Sequence, residues 1–311
     1  MTNHSSPTPH PSIAPGFGLI IIGDEILSGK RADKHLPKVI ELLKARGLQL
    51  DYAHYVGDSP ERITATLKRA FASGDVVLSC GGIGATPDDH TRQCAARALG
   101  LELVLHPQAQ ALIRERMQDM AREQGIPYEP ERGDNMHRLN MGMFPLGSQI
   151  IPNPFNKIPG FFCMGERGGG QFPAGPPQGK LTPSGGSDPH AVGERGGVYF
   201  VPGFPVMAWP MIEWVLDTHY LHLHRNAAWI EKSVIVYGAM ESALTPLMED
   251  IERRHSGVKV FSLPSVDHPQ YGRHIELGVK GEPALVEIAY PALLTGLRAV
   301  DVRLGPELVQ G

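Results

Sequence analysis

Residues 76–91, VVLSCGGIGATPDDHT, decide the fold. Val76 to Cys80 is a short apolar run without alternation, the pattern of a strand buried on both faces. It breaks into the turn Gly81-Gly82-Ile83-Gly84, and Thr91 then opens a helical stretch that stops at Gly100. The same unit recurs on the N-terminal side. Phe17 to Ile22 is a second apolar run, closed by Gly23, followed by Leu36, Val39, Ile40 and Leu43 at helical spacing with Gly47 as the stop. Leu48 to Val56 reads as a strand, and Ser59-Pro60 starts a helix whose apolar face is Ile63, Leu67, Ala70 and Phe71. Strand alternating with helix predicts right-handed crossovers and an α/β fold of three layers around a parallel sheet.

Further along, a long helix is expected over Pro107 to Gln124, short strands over Gln149–Ile151 and Phe161–Cys163, and a helix over Trp209–Leu216. Between Met164 and Gly197, 11 Gly and 5 Pro among 34 residues leave few positions for regular structure, so 164–197 is expected to be a flexible insertion. Its flanks, Phe161–Cys163 and Val198–Val201, are expected to pair directly. From Ser233 a β-α-β-β-α string predicts a smaller α+β unit. The expected organisation is therefore a disordered tail over 1–15, a main domain over 16–225 and a second domain over 226–311.

Charge and cysteine usage narrow the function. The 311 residues carry 29 Lys and Arg against 33 Asp and Glu, a net −4, which disfavours nucleic acid or an anionic membrane as partner. Three cysteines, Cys80, Cys94 and Cys163, without a C-x-x-C pair support neither a disulfide framework nor a thiolate zinc site, and suit a reducing cytoplasm. No apolar run approaches the roughly 20 residues of a membrane span. Residues 1–15 have neither the apolar core nor the basic start of a signal peptide.

Three motifs combine glycine with polar residues at the carboxyl ends of predicted strands: Gly23 to Lys30, Val56-Gly57-Asp58, and Gly81 to Thr91. In an open α/β sheet those ends share one crevice, where ligands bind. Glycines let main-chain N–H groups approach closely, and a following helix start favours negative charge, so phosphate or pyrophosphate is the expected ligand. Asp88 and Asp89 would repel it unless a cation intervened, which predicts a divalent metal, Mg²⁺ or Mn²⁺, held by oxygens. Gly23 to Lys30 is not a P-loop, because five residues separate its glycines and Arg31 stands where Ser or Thr would hold metal. Neither G-x-G-x-x-G after the first strand nor a G-x-S-x-G elbow occurs. His219, His222 and His224 lack a recognised metal-ligand spacing and are expected on a solvated face. Cys80, beside the turn, is expected to be a buried strand end rather than an activated thiol.

GDEILSG at Gly23, VGD at Val56, GGIGATPDDHT at Gly81 and VPGFPVM at Val201 resemble the molybdopterin-binding domain of the competence-damage-inducible CinA family, which is related to the MogA/MoaB molybdopterin adenylyltransferases. The resemblance extends from Phe17 to Leu216, and the smaller unit resembles the KH-like domain that follows in CinA proteins. The amidohydrolase domain of full-length CinA has no counterpart in these 311 residues, so nicotinamide-nucleotide deamidation is not expected. The resemblance implies a nucleotide or pterin pyrophosphate bound with Mg²⁺, and functional aspartates at Asp58 and Asp89 with Thr91 two residues on. It favours cleavage of a nucleoside diphosphate linkage, as in ADP-ribose pyrophosphatases. The alternatives are a molybdopterin-binding, adenylyl-transferring protein and a non-catalytic nucleotide or pterin module. Ala85 replaces a usual proline, and Asp33 and His35 replace usual asparagines.

The expected site accordingly has Asp58 and Asp89 as catalytic carboxylates with Asp24 in reserve, and Asp58, Asp88 and Asp89 around Mg²⁺, Mn²⁺ or Co²⁺. Gly81, Gly82, Gly84, Thr86, Thr91, Ser28, Lys30 and Gly203 are expected to contact the ligand. Related proteins form dimers and trimers, so a homo-oligomer is expected.

Overall fold

The computed structural model describes residues 15–164, 196–224, 230–300 and 302–310. Almost all of the expected tail and of the expected insertion lies outside them. The chain divides into two compact units, the first up to Leu223 except for Lys44–Leu48, the second comprising Lys44–Leu48 and the chain from His224.

The first unit is built on a six-stranded sheet in the order β2-β1-β3-β8-β7-β6. Strands β1 (Phe17–Ile22), β2 (Tyr52–Val56), β3 (Val76–Cys80) and β8 (Gly197–Val201) run parallel, while β7 (Gly160–Met164) and β6 (Gln149–Ile151) continue antiparallel. The sheet is thus mixed and parallel-dominated. Every residue of β1 and β3 is buried, as continuous apolar runs demand of strands covered on both faces. Ile20 and Ile22 of β1 pack with Ile63, Leu67 and Phe71 of helix α3 (Pro60–Ser73) and with Cys94 and Ala95 of α4 (Thr91–Leu99). Leu19 and Ile21, pointing the other way, are equally buried.

Helix α1 (Asp24–Leu27) is a single turn after β1, and α2 (His35–Lys44) begins where Asp33 accepts hydrogen bonds from the N–H groups of His35 and Leu36. Strand β2 is shorter than the expected 48–56. The flanks of the Gly- and Pro-rich stretch do pair, Phe161 opposite Phe200 and Cys163 opposite Val198, and Phe144, Phe161 and Phe200 stack at 4.5 and 4.4 Å between centroids. A two-stranded ribbon, β4 (Leu103–Leu105) with β5 (Met143–Pro145), and the short helix α6 (Gly133–Leu139) were not expected. They flank the expected long helix, α5 (Pro107–Glu123). Helix α7 (Pro205–His219) follows β8. His219 corrects the expectation of a solvated histidine face: its ring lies 5.0 Å from Phe162 and 5.2 Å from Trp214, and burial lowers its pKa.

The second unit runs β9 (Ile230–Tyr237), α8 (Glu241–Arg254), β10 (Lys259–His268), β11 (Gly272–Gly281), α9 (Pro283–Arg298) and β12 (Arg303–Gln310). It is α+β, as expected. Its antiparallel order β10-β11-β9-β12 is that of the ferredoxin-like split βαβ arrangement, in place of the KH-like form implied by the resemblance. Strand β12 escapes the sequence reading because Gly305 and Pro306 interrupt its alternation. No helix among the described residues is long and apolar enough to cross a membrane.

Candidate functional site

The parallel register brings Gly23, Gly57, Gly81 and Pro202 to one end of the sheet, each just past the end of its strand. There the β3–α4 turn has an unusual division of labour. All four carbonyls of Gly81 to Gly84 are tied to the first two residues of α4. Gly81 O accepts from the Thr91 hydroxyl (3.1 Å) and Gly82 O from the Thr91 N–H (3.0 Å), while Arg92 donates through Nη1 to Ile83 O (3.0 Å) and through Nη2 to Gly84 O (2.7 Å). In a trans peptide the carbonyl and the next N–H point opposite ways. Holding these four carbonyls therefore directs the N–H groups of Gly82, Ile83, Gly84 and Ala85 away from α4, and none of the four has an acceptor among the described residues. On either side the pattern stops: Gly81 N donates to Val201 O (3.0 Å) and Thr86 N to Asp89 Oδ2 (2.8 Å).

The glycines are required by space. Gly81 and Gly82 have φ of 106° and 68°, and added Cβ atoms would meet Ile22 O at 2.4 Å and Thr91 Oγ1 at 2.1 Å. A Cβ on Gly84 would meet Asp89 Oδ2 at 2.6 Å.

The expected carboxylates are brought to this end with different tasks. Asp24 and Asp58 hold each other: Asp24 N donates to Asp58 Oδ2 (2.9 Å) and Asp58 N to Asp24 Oδ1 (3.1 Å). Burial, with the charges of Asp24, Glu25 and Asp88, pushes the Asp58 carboxyl up against the lowering effect of its bond from Asp24. Asp88 is exposed, and the neighbouring Thr86 hydroxyl lowers it. Asp89 is largely a brace, since its Oδ2 takes both the N–H (2.8 Å) and the hydroxyl (2.5 Å) of Thr86. Thr91 and Thr86 thus shape the turn instead of offering free hydroxyls. Gly203 presents its carbonyl to His35 Nε2 (3.1 Å), which ties the β8–α7 loop to α2. Ser28 and Lys30 are exposed and have no hydrogen bond to the turn. Cys80 is buried, and burial pushes its thiol up, so it is not an activated nucleophile.

Among the described residues, no three His, Cys, Asp or Glu side chains form a group able to hold a metal ion by themselves. The chemistry of the donor set fits Mg²⁺ in another way. Such an ion commonly takes only one or two carboxylates and completes its shell with water and ligand phosphates.

Arg92 escaped the sequence reading. It is 3% exposed, and burial lowers its pKa to about 10, against the opposing effect of Asp89, so it remains charged at neutral pH. Helical spacing was the available signal, because Arg92 shares a face with Ala95, Ala96 and Leu99 and so points inward.

Fold and turn together define an α/β domain with a row of four N–H groups, unbonded among the described residues, at the carboxyl edge of its sheet. The chain belongs to the family described as "Probable molybdopterin binding domain", whose model matches residues 18–222. Among its relatives, a "CinA-like protein" of Syntrophotalea carbinolica is 31% identical over 153 residues, 49% of this chain and 34% of that one. "Protein TV0584" of Thermoplasma volcanium is 26% identical over 284 residues, 91% of this chain and 87% of that one. The chain thus spans about a third of the first relative and most of the second. The solved structure of CinA from Thermoplasma acidophilum, titled as of unknown function, aligns with 66% of this chain and 97% of its own at 23% identity and TM-score 0.47.

Proposed function

We propose that the first unit binds the diphosphate of a nucleoside compound and hydrolyses it with the help of a divalent cation, ADP-ribose being the substrate of choice. The observation that carries this reading is the row of four N–H groups, Gly82 to Ala85, freed by the anchoring of their carbonyls to Thr91 and Arg92. Such a row binds phosphoryl oxygens and meets the charge that grows on them in the transition state. Mg²⁺, Mn²⁺ or Co²⁺ bound by Asp88, the uncommitted Oδ1 of Asp89 and the phosphates would supply charge neutralisation. Asp58 accepts the proton of the attacking water at Oδ1, since Oδ2 is occupied by the Asp24 N–H. Its raised pKa makes it a stronger base than an ordinary carboxylate. Asp24 positions it through the reciprocal bond.

A molybdopterin phosphate would suit the same amides, and the family description favours that second reading. The two differ in product: AMP and ribose phosphate for the first, an adenylated pterin made from ATP for the second.

The test is chromatography of nucleotide products after incubation with ADP-ribose and Mg²⁺, Mn²⁺ or Co²⁺. AMP release is expected, falling about 100-fold or more in Asp58→Asn. That variant should melt no lower than the wild type at neutral pH. A carboxyl with a raised folded-state pKa penalises the fold once ionised, above that pKa, and imposes nothing below its ordinary value of 3.8, where both states are protonated. Unchanged turnover in Asp58→Asn would remove it from the mechanism, and no product with any of the cations would sink the hydrolase reading.

A further inference from the structure

A cleft of about 570 Å³ opens beside β2, bounded by α1 and α3, in the size range of small-molecule sites. Among the described residues strand β2 is the sheet edge and pairs only with β1, so no further strand covers this side. Asp24 and Gly57 line the cleft, so it is continuous with the candidate site. Its walls are of two kinds. Leu27 and Tyr55 are 56% and 40% exposed, and the Tyr55 ring is held in place by its hydroxyl donating to Asp33 Oδ2 at 2.8 Å. Arg62 and Arg69 line the opposite wall from one face of α3, and neither guanidinium has a carboxylate partner among the described residues. Arg69 is steadied by a bond from Nη2 to the buried Thr66 hydroxyl at 3.2 Å.

We propose that this cleft seats a nucleoside carried on the diphosphate, Arg62 meeting the phosphate end and Arg69 the acceptor atoms of the base, with Leu27 and Tyr55 against its flat face. The assignment rests on the diphosphate reading above. Seven residues of helix separate the two arginines by about 10 Å, roughly the reach from a phosphate through a ribose to the far side of its base. Arg62 is the nearer to Asp58, being one turn into α3, and a guanidinium plane suits both hydrogen bonding to ring acceptors and stacking. Apolar surface left open beside unpaired cations matches an anionic ligand with a flat apolar part better than it matches solvent.

The experiment is a calorimetric titration of the full chain, with Mg²⁺ present, using inorganic pyrophosphate and diadenosine diphosphate. The second probe has a nucleoside on each side of its phosphates, so one enters the cleft whichever way it lies. In Arg69→Ala, diadenosine diphosphate is expected to weaken about tenfold while pyrophosphate stays within about twofold. Equal weakening of both probes, or of neither, would overturn the assignment of the cleft and leave the amide row standing. A wild-type chain that binds neither probe would end the diphosphate reading and the cleft assignment together.

Discussion

Replacing Gly81 by alanine is expected to cost the first unit about 2–4 kcal/mol and to lower its affinity for a diphosphate more than about tenfold. The residue sits at φ 106°, where an L side chain is strained, and its Cβ would lie 2.4 Å from the carbonyl oxygen of Ile22. That oxygen belongs to the backbone at the end of the central strand β1 and cannot swing aside as a side chain would. Gly81 is also clamped on both sides, its N–H on Val201 O at 3.0 Å and its carbonyl under the Thr91 hydroxyl at 3.1 Å. The turn must therefore shift as a body, and the N–H groups of Gly82 to Ala85 shift with it. Gly29 is the matched control: its φ is 72°, yet an added Cβ meets nothing within 4 Å. Gly29→Ala should cost only about 1 kcal/mol of backbone strain and leave binding unchanged. Urea unfolding and ADP titration of the two variants read both effects. Similar losses at the two positions would mean that backbone strain alone, and not the close approach to β1, governs the turn.

The second large effect is expected at Arg92. Arg92→Met keeps the bulk of a buried side chain but leaves the carbonyls of Ile83 and Gly84 without donors, a loss of about 2–4 kcal/mol. With the fork gone, the peptide planes that aim Gly84 N and Ala85 N are no longer held. ADP affinity should fall about tenfold even at temperatures where the variant is fully folded. Arg92→Lys should recover part of the stability but little of the affinity, because a single ammonium cannot bridge two carbonyls as a planar guanidinium does. Melting curves paired with ADP titrations check this. A variant that loses stability while binding ADP as the wild type does would show that the amide row forms without the fork.

How much of this is legible in the sequence depends on what each residue answers to. Val76–Cys80 and Phe17–Ile22 are readable because burial on both faces leaves a continuous apolar run with no competing pattern. The pairing of Phe161–Cys163 with Val198–Val201 is readable because both segments are apolar and the stretch between them is rich in glycine and proline. The glycines at 81, 82 and 84 announce close approach, and the structure shows what approaches: Ile22 O, Thr91 Oγ1 and Asp89 Oδ2. What the motif conceals is the direction of the peptides. Thr91 and Asp89 look like ligand contacts in a linear reading, yet Thr91 Oγ1 is spent on Gly81 O and Asp89 Oδ2 on Thr86 N and Thr86 Oγ1. Helical spacing turns Arg92 inward, but it does not name the carbonyls of Ile83 and Gly84 as its partners. Both depend on three-dimensional closure of an 11-residue loop, which spacing alone does not reveal. The cleft beside β2 is hidden for a similar reason, since Arg62 and Arg69 carry the usual marks of an exposed helix face and gain meaning only from Leu27 and Tyr55 across from them.

Amide-detected NMR of the full chain, titrated with ADP in the presence of Mg²⁺, reads the amide row directly. The N–H resonances of Gly82, Ile83, Gly84 and Ala85 are expected to move together, downfield and with one affinity, while those of Gly81 and Thr86, already bonded to Val201 O and Asp89 Oδ2, move little. Saturable binding that leaves those four resonances in place and shifts others would contradict that expectation.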